Sequence, residues 1–368
     1  MARGENIYKR KDGRWEGRYP KARKMDGSIH YGYIYGRNYR TVRNQLIEKK
    51  AIYSIQNEKG NHVFHGTVGD WVNIWLNQQM VEQLKESTYA SYQSKLTIHV
   101  LPVIGRIPLN SLHTGHLDQL VTQLNEKLAP NSVHIVFRII KSCLKVAQER
   151  GHIFLNPAEH TRLPKIEKKQ LPALTRGQQA QVIKESKKNT KGLPILLALE
   201  TGMRIGEICA LKWSDIDFEQ QIINVRRTKQ RITSRSFGKE KTKLIETTPK
   251  TRKAIRTIPI TETLMEQLLK AKDQASSAAV VEINGHAVEP RTISYRFEKL
   301  KKKLGLSDIV FHSLRHTFAT RCVEIGINIA TVSALLGHAS IKMTLDTYTS
   351  SFIDDQRNAM RQFEGIIL

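Results

Sequence analysis

The segment LPKIEKKQLP at 163–172 sets two prolines around a lysine-rich centre, a composition that neither propagates a helix nor buries a core. It divides the chain into a helical part and a mixed part. Before it, Thr67 is placed to cap a helix carrying Val68, Trp71, Ile74 and Trp75, and helical patterns recur at 87–100, 114–128 and 131–150. Leu101-Pro102, Ile107-Pro108 and Ala129-Pro130 break these patterns, and Asn156-Pro157 ends the last. After the linker, the pattern predicts a helix from Thr175, an apolar helix at 194–200, a strand-rich stretch at 216–260 and helices again beyond Thr261. No self-similarity at a period of 20 to 50 residues is present, which argues against solenoids and propellers.

The first 60 residues form a third, distinct part. They hold seven of the eleven tyrosines, together with Trp15, among many Arg and Lys. IYKRKDGRWEGRYP has Asp12-Gly13 between two β-prone runs, and Met25-Asp26-Gly27-Ser28 precedes HYGYIYG; two Asp-Gly turns mark a three-stranded meander. A helix from Thr41, with Val42, Leu46, Ile47 and Ile52 at near-helical spacing, is expected to cover one face. The other face is then open, and Lys9, Arg14, Arg18, Tyr31 and Tyr33 are its candidate residues. Their mixture of cations and flat rings suits a sheet laid in a DNA groove; the plainer alternative is a solvated basic sheet with aromatic cross-strand pairs. Residues 57–61 read as a linker, so the expected domains are 1–60, 61–168 and 169–368.

Charge points the same way. The 59 Lys and Arg exceed the 34 Asp and Glu, for a net +25. Counted along the chain, residues 1–60 carry 15 basic against 6 acidic residues, 61–170 carry 12 against 8, and 171–368 carry 32 against 20. A basic excess spread over every segment calls for a long polyanion, hence nucleic acid, rather than a membrane surface met by one polybasic tail. No apolar run approaches the roughly 18 residues of a membrane span, and the charged N-terminus lacks a signal-peptide core; a soluble, cytoplasmic protein is expected. Cys143, Cys209 and Cys322 are far apart, with no C-x-x-C pair, which argues against disulfides and structural zinc.

Four short motifs follow the linker in order: TGMRIGEICALKWSDID from Thr201, TPKTRKAIRTIPI from Thr248, FHSLRHTFAT from Phe311 and LLGHASIKMTLDTY from Leu335. His312 and Arg315 stand three apart in a helical pattern and point from one face, where they can grip one anion or merely decorate a surface. Arg204 follows Gly202 and sits at a helix start, where N–H groups favour anions; the alternative is an ion pair with Glu207. His338 follows Gly337 at a helix C-cap, where a cation is common without function. Tyr348 by itself reads as a packing residue.

Taken together, these motifs resemble the tyrosine recombinase (phage integrase) family, whose pattern runs Arg, Lys, His-x-x-Arg, His and a final Tyr. The resemblance covers roughly residues 170–350 and implies a multidomain α+β protein: a three-stranded-sheet-plus-helix arm-binding domain, a helical core-binding domain and a mixed α/β catalytic domain. It assigns the first Arg to Arg204, the Lys to Lys250, His-x-x-Arg to His312 and Arg315, the second His to His338 and the nucleophile to Tyr348. Lys241, Lys243 and Lys253 remain open alternatives to Lys250, and Ala254 stands where many relatives have Ser. On this reading Tyr348 attacks a DNA phosphate, His312 moves its proton, Arg204 and Arg315 clamp the non-bridging oxygens, the lysine protonates the departing 5′ oxygen and His338 adds a donor. No cofactor or metal is implied, since the covalent intermediate keeps the phosphodiester energy and no carboxylate cluster suits Mg²⁺. Thr88 and Lys95 are further candidate DNA contacts in the helical domain. The implied partners are double-stranded DNA at core and arm sites, three further copies of the chain, and an excisionase or DNA-bending host protein, in a bacterial cytoplasm. A type IB topoisomerase or a non-catalytic DNA-binding regulator is the alternative class. The apolar tail 349–368, with Phe352, Ile353, Met360, Phe363, Ile366, Ile367 and Leu368, is expected to dock on a neighbouring protomer or on its own chain.

Overall fold

The computed structural model describes residues 6–23, 28–58, 64–167, 172–234, 242–248, 254–348, 360, 361 and 364, with the side chains of 22–23, 52–58 and 346–348 outside the description. The second Asp-Gly turn, Lys241, Lys250, Lys253 and all of the tail except the exposed Met360, Arg361 and Glu364 lie outside the described residues. The chain divides into two units, Met1–Ile166 and Glu167–Leu368.

In the first unit, β1 (Ile7–Lys9), β2 (Trp15–Arg23) and β3 (Ile29–Gly36) form an antiparallel meander, followed by α1 (Tyr39–Glu58). Gly13, at φ +82°, makes the first turn. Val42 and Leu46 are buried between α1 and the sheet. Gly17 and Gly36 let the helix approach closely, since a Cβ at Gly17 would lie 3.0 Å from Val42 and one at Gly36 2.7 Å from it. Ile47, expected on this face, is 55% exposed; five residues beyond Val42, it lies well off the face that Val42 and Leu46 share.

The register decides which residues the opposite face carries. Tyr8 pairs Glu16, Arg18 pairs Tyr33, Glu16 pairs Tyr35 and Pro20 pairs Tyr31, so these side chains project from the face away from Gly17. The guanidinium of Arg18 lies 3.6 Å from the Tyr31 ring centroid, and Arg10 and Arg14 lie 5.3 and 5.9 Å from that of Tyr35. Arg14 precedes β2 and is also bound to Asp12 at 2.8 Å. Lys9 does not belong to this set. It pairs Trp15 on the helix-covered side and lies over the Trp15 ring at 5.9 Å, because side chains alternate along a strand and its neighbour Tyr8 takes the open face.

A helical bundle follows. Its elements are α2 (Val68–Ile74), continued as a π-helical turn to Met80; α3 (Glu86–Lys95), continued likewise to Val100; α4 (Leu101–Ile104); α5 (Thr114–Lys127); and α6 (Pro130–Glu149). Thr67 caps α2 through a reciprocal pair with Asp70, accepting from its backbone N–H at 3.2 Å while the carboxylate accepts from the Thr67 N–H at 2.8 Å. Trp71 and Trp75 are fully buried with Leu96, Leu117, Leu120, Phe137, Ile140 and Leu144, and the Trp71 indole donates to the Cys143 carbonyl at 3.1 Å. Thr88 and Lys95 are half-buried on α3, with Lys95 donating to the Ser91 hydroxyl at 2.5 Å.

The second unit comprises α7 (Arg176–Ser186), α8 (Leu193–Thr201), α9 (Ile205–Ala210), β4 (Ile216–Asp217), β5 (Ile222–Val225), β6 (Thr228–Thr233), β7 (Thr242–Thr247), β8 (Arg256–Pro259), α10 (Glu262–Asp273), β9 (Glu282–Ile283), β10 (His286–Ala287), α11 (Pro290–Lys303), α12 (Phe311–Glu324), α13 (Ile329–Leu336) and α14 (Ile341–Tyr348). β4, β5 and β8 form one antiparallel sheet, and β6 and β7 a separate hairpin. α8 is apolar all round and forms the centre of the core with Ile223, Ile258, Leu264, Phe297 and Leu314. The β9–β10 hairpin interrupts the helices expected after Thr261; two-residue strands leave no readable period. Among the described residues no helix is long and apolar enough to cross a membrane.

Candidate active site

Two left-handed glycines end two helices and turn the chain into the site. Gly202, at φ +65°, terminates α8, and Gly337, at φ +64°, terminates α13. A Cβ at Gly202 would meet Phe318 at 2.6 Å and Leu336 at 2.8 Å, so this turn is packed against α12 and the end of α13. Arg204 and His338 follow these turns by two residues and one.

Arg315, on α12, lies between the turns. Its guanidinium is buried, donating through Nη1 to the Gly202 carbonyl at 2.6 Å and through Nη2 to the Leu336 carbonyl at 2.7 Å. Two donors of the residue expected to grip an anion thus have a structural duty: they satisfy carbonyls at the C-terminal ends of two helices.

Arg204 is the N-cap of α9 and half-buried. Its Nη1 donates to Glu207 Oε1 at 2.8 Å and its backbone N–H to Oε2 at 2.9 Å, so the ion pair weighed from the sequence is present. Glu207 is buried and also receives Nη2 of Arg256 at 2.9 Å. Burial would raise its pKa, but the Arg256 hydrogen bond and the charges of Arg256 and Arg204 outweigh it and hold the carboxyl below its ordinary value. Arg256 also donates to the carbonyls of Leu335 at 2.6 Å and Ala254 at 3.2 Å.

His338 is half-buried, and its Nδ1 lies 2.8 Å from the Thr344 hydroxyl on α14. Burial, then the charges of Arg315, Arg204, Arg256 and His312, push its pKa down to about 4. His312 is likewise pushed down to about 4, by desolvation first and then by Arg315, His316 and Arg204. Its ring still meets solvent, which screens those charges. The His316 ring stands 5.6 Å from that of His312, nearly perpendicular to it. Tyr348 is the last residue of α14, and its side chain, like all of Lys250, lies outside the description. Lys243 is on β7. The structure thus gathers Arg204, His312, Arg315 and His338 into one electrostatic neighbourhood, while Lys9, Arg14, Arg18, Tyr31, Tyr33, Thr88 and Lys95 belong to the other unit. Among the described residues, no group of three or more His, Cys, Asp or Glu is placed to hold a metal ion.

Arg256 and Thr344 were not singled out from the sequence. Arg256 had a usable signal: in IRTIPI it shares a strand face with Ile258, which is 1% exposed, and a cation at an inward strand position requires a buried partner.

The Phage integrase family model matches residues 164–354, and the model of the phage integrase N-terminal SAM-like domain matches 67–125. A tyrosine recombinase XerC-like protein of Caldanaerobacter subterraneus subsp. tengcongensis is 25% identical over 327 residues, spanning 82% of this chain and 84% of its own. The fold is shared with the Tn1549 transposon integrase in complex with a circular intermediate DNA (TM-score 0.68, 22% identity, 81% of this chain and 99% of that one). It is shared also with a lambda integrase tetramer bound to a Holliday junction (TM-score 0.58, 21% identity, 92% and 96%). With more than half of its length matched, the chain belongs to the phage integrase family and is a site-specific DNA recombinase of the tyrosine type.

Proposed function

We propose that this recombinase integrates and excises a mobile element, with Tyr348 as nucleophile. The Tyr348 oxygen bonds to the scissile phosphorus while the bond to the 5′ oxygen breaks, leaving a 3′-phosphotyrosine and a 5′ hydroxyl; a 5′ hydroxyl from the partner duplex reverses the step. A tyrosine of ordinary pKa near 10 must lose its proton during attack. His312, kept neutral at physiological pH by the downward shift of its pKa, is suited to receive it. Arg204 and Arg315 stabilise the charge gathering on the non-bridging oxygens, His338 donates to the phosphate, and Lys250 or a neighbouring hairpin lysine protonates the leaving oxygen.

The observation that carries this reading is the convergence of Arg204, His312, Arg315 and His338 around the turns at Gly202 and Gly337. We assign residues 1–60 to arm-site binding through the face of Arg18, Tyr31 and Tyr33, with Arg14 at its edge. Residues 61–168, with Thr88 and Lys95, are assigned to core-site binding, and 169–368 to catalysis. A homo-tetramer on two duplexes is the working assembly, supported by the lambda integrase tetramer on a Holliday junction. An excisionase or DNA-bending host protein would set direction, and the bacterial cytoplasm is the compartment.

The test is strand exchange. The purified chain, incubated without ATP or Mg²⁺ with two duplexes spanning the junctions of the element that carries its reading frame, should yield recombinant joints. Plasmid relaxation without joints would point to a topoisomerase, and DNA binding without cleavage to a regulator.

A further inference from the structure

Arg256 is placed like a second keystone beside Arg315. It starts β8, which follows the hairpin and residues 249–253, and its side chain is 5% exposed. One guanidinium ties the start of β8 to two helices: Nη2 binds Glu207 Oε2 on α9 at 2.9 Å and Nε donates to the Leu335 carbonyl at the end of α13 at 2.6 Å, while Nη1 returns to Ala254 at 3.2 Å. Glu207 divides its carboxylate, Oε1 taking Arg204 Nη1 and Oε2 taking Arg256. A buried carboxylate facing Arg204 alone would cancel the positive charge that Arg204 presents to a phosphate.

We propose that Arg256 is a positioning residue for strand cleavage: by neutralising Glu207 and capping the Leu335 carbonyl, it keeps the charge of Arg204 available to the scissile phosphate and fixes the turn that carries His338. This rests on the recombinase reading given above. No transition-state contact is asked of Arg256 itself. Two arginines from separate elements then finish α13, Arg256 at Leu335 and Arg315 at Leu336, so the turn at Gly337 is held from both the sheet side and the α12 side. Lysine is a poor replacement, because a point-charge ammonium lacks the planar fork that serves Glu207 and Leu335 at once.

The experiment measures single-turnover formation of the covalent adduct on a nicked duplex spanning the element's junction, alongside the dissociation constant for the same duplex. Four variants are compared with wild type: Arg256→Gln, Arg256→Lys, Glu207→Gln and the double Glu207→Gln/Arg256→Gln. Arg256→Gln should slow adduct formation on the order of 10²-fold, comparable to the loss of one transition-state donor, with affinity changed less than about threefold. Glu207→Gln added to it should restore at least tenfold of that loss, although it removes a further contact, because the uncompensated carboxylate is gone. Arg256→Lys should fall between wild type and Arg256→Gln. If Arg256→Gln cleaves at the wild-type rate, or if the folded double variant is as slow as or slower than Arg256→Gln, the proposal is wrong. If Arg256→Gln does not fold, the double variant decides, since its neutral pair leaves no buried charge: cleavage within about tenfold of wild type supports the proposal, and a deeper loss overturns it. Wild type and Tyr348→Phe run in the same assay. An adduct in both would refute Tyr348 as the nucleophile, whereas a normal pair of controls with an indifferent Arg256 refutes this proposal alone.

Discussion

The guanidinium of Arg315 and the carbonyl of Gly202 meet at 2.6 Å across 113 residues of sequence, and the same side chain reaches Leu336 at 2.7 Å. One residue therefore joins the two turns from which Arg204 and His338 project. Replacing it with lysine leaves at least one buried carbonyl without its donor, at a cost of about 1–3 kcal/mol for each unmade bond. Arg315→Lys should lower stability by that order in denaturant unfolding and also slow adduct formation. Unchanged stability would mean that the two carbonyls find other donors.

The two site histidines give a pH dependence. Both have folded pKa values pushed below the ordinary 6.5, His338 to about 4. The unfolded chain then binds protons that the folded chain refuses, so their contribution to stability is present above pH 6.5 and is lost as pH falls from there towards 4. Unfolding curves without DNA should show a decline over this window that is smaller in the His312→Asn/His338→Asn double variant. An equal decline in both proteins would place the sensitive groups elsewhere.

Deleting residues 1–60 should remove binding at distal sites while sparing cleavage at the crossover. If the open sheet face neutralises about 5 phosphates, the module's binding should weaken with salt at a log–log slope of roughly −4 to −5. Substituting Arg18 should reduce that slope by about 1, whereas Lys9→Gln should change it less, since Lys9 lies on the α1 side of the sheet beside Trp15. Equal loss at both kinds of site on deletion would mean that this module is not an independent reader.

Signals confined to one turn of chain were legible in the sequence. The helix cap at Thr67, the turn at Gly13 and the glycine stops at 202 and 337 depend on residues no more than a few positions apart. The apolar spacing of Trp71 and Trp75 likewise located α2. Lys9 shows where this ends: strand faces alternate every residue, and only the pairing of Tyr8 with Glu16 fixes which one is open. The same limit hid the joining of the site. The candidate residues are visible as short motifs, but that Arg315 would spend two donors on Gly202 and Leu336, or that Glu207 would be shared with Arg256 49 residues away, follows from packing between elements distant in the chain.

The central claim is that Tyr348 carries the DNA through a covalent bond, and adduct formation on a nicked duplex from the element's junction tests it most directly. Wild-type protein should become covalently attached at the 3′ phosphate, with peptide mapping placing the nucleotide on Tyr348. Tyr348→Phe, which removes only the nucleophilic oxygen, should bind the same duplex with nearly unchanged affinity and form no adduct. A covalent complex that persists in Tyr348→Phe, or that maps to another residue, would contradict the account.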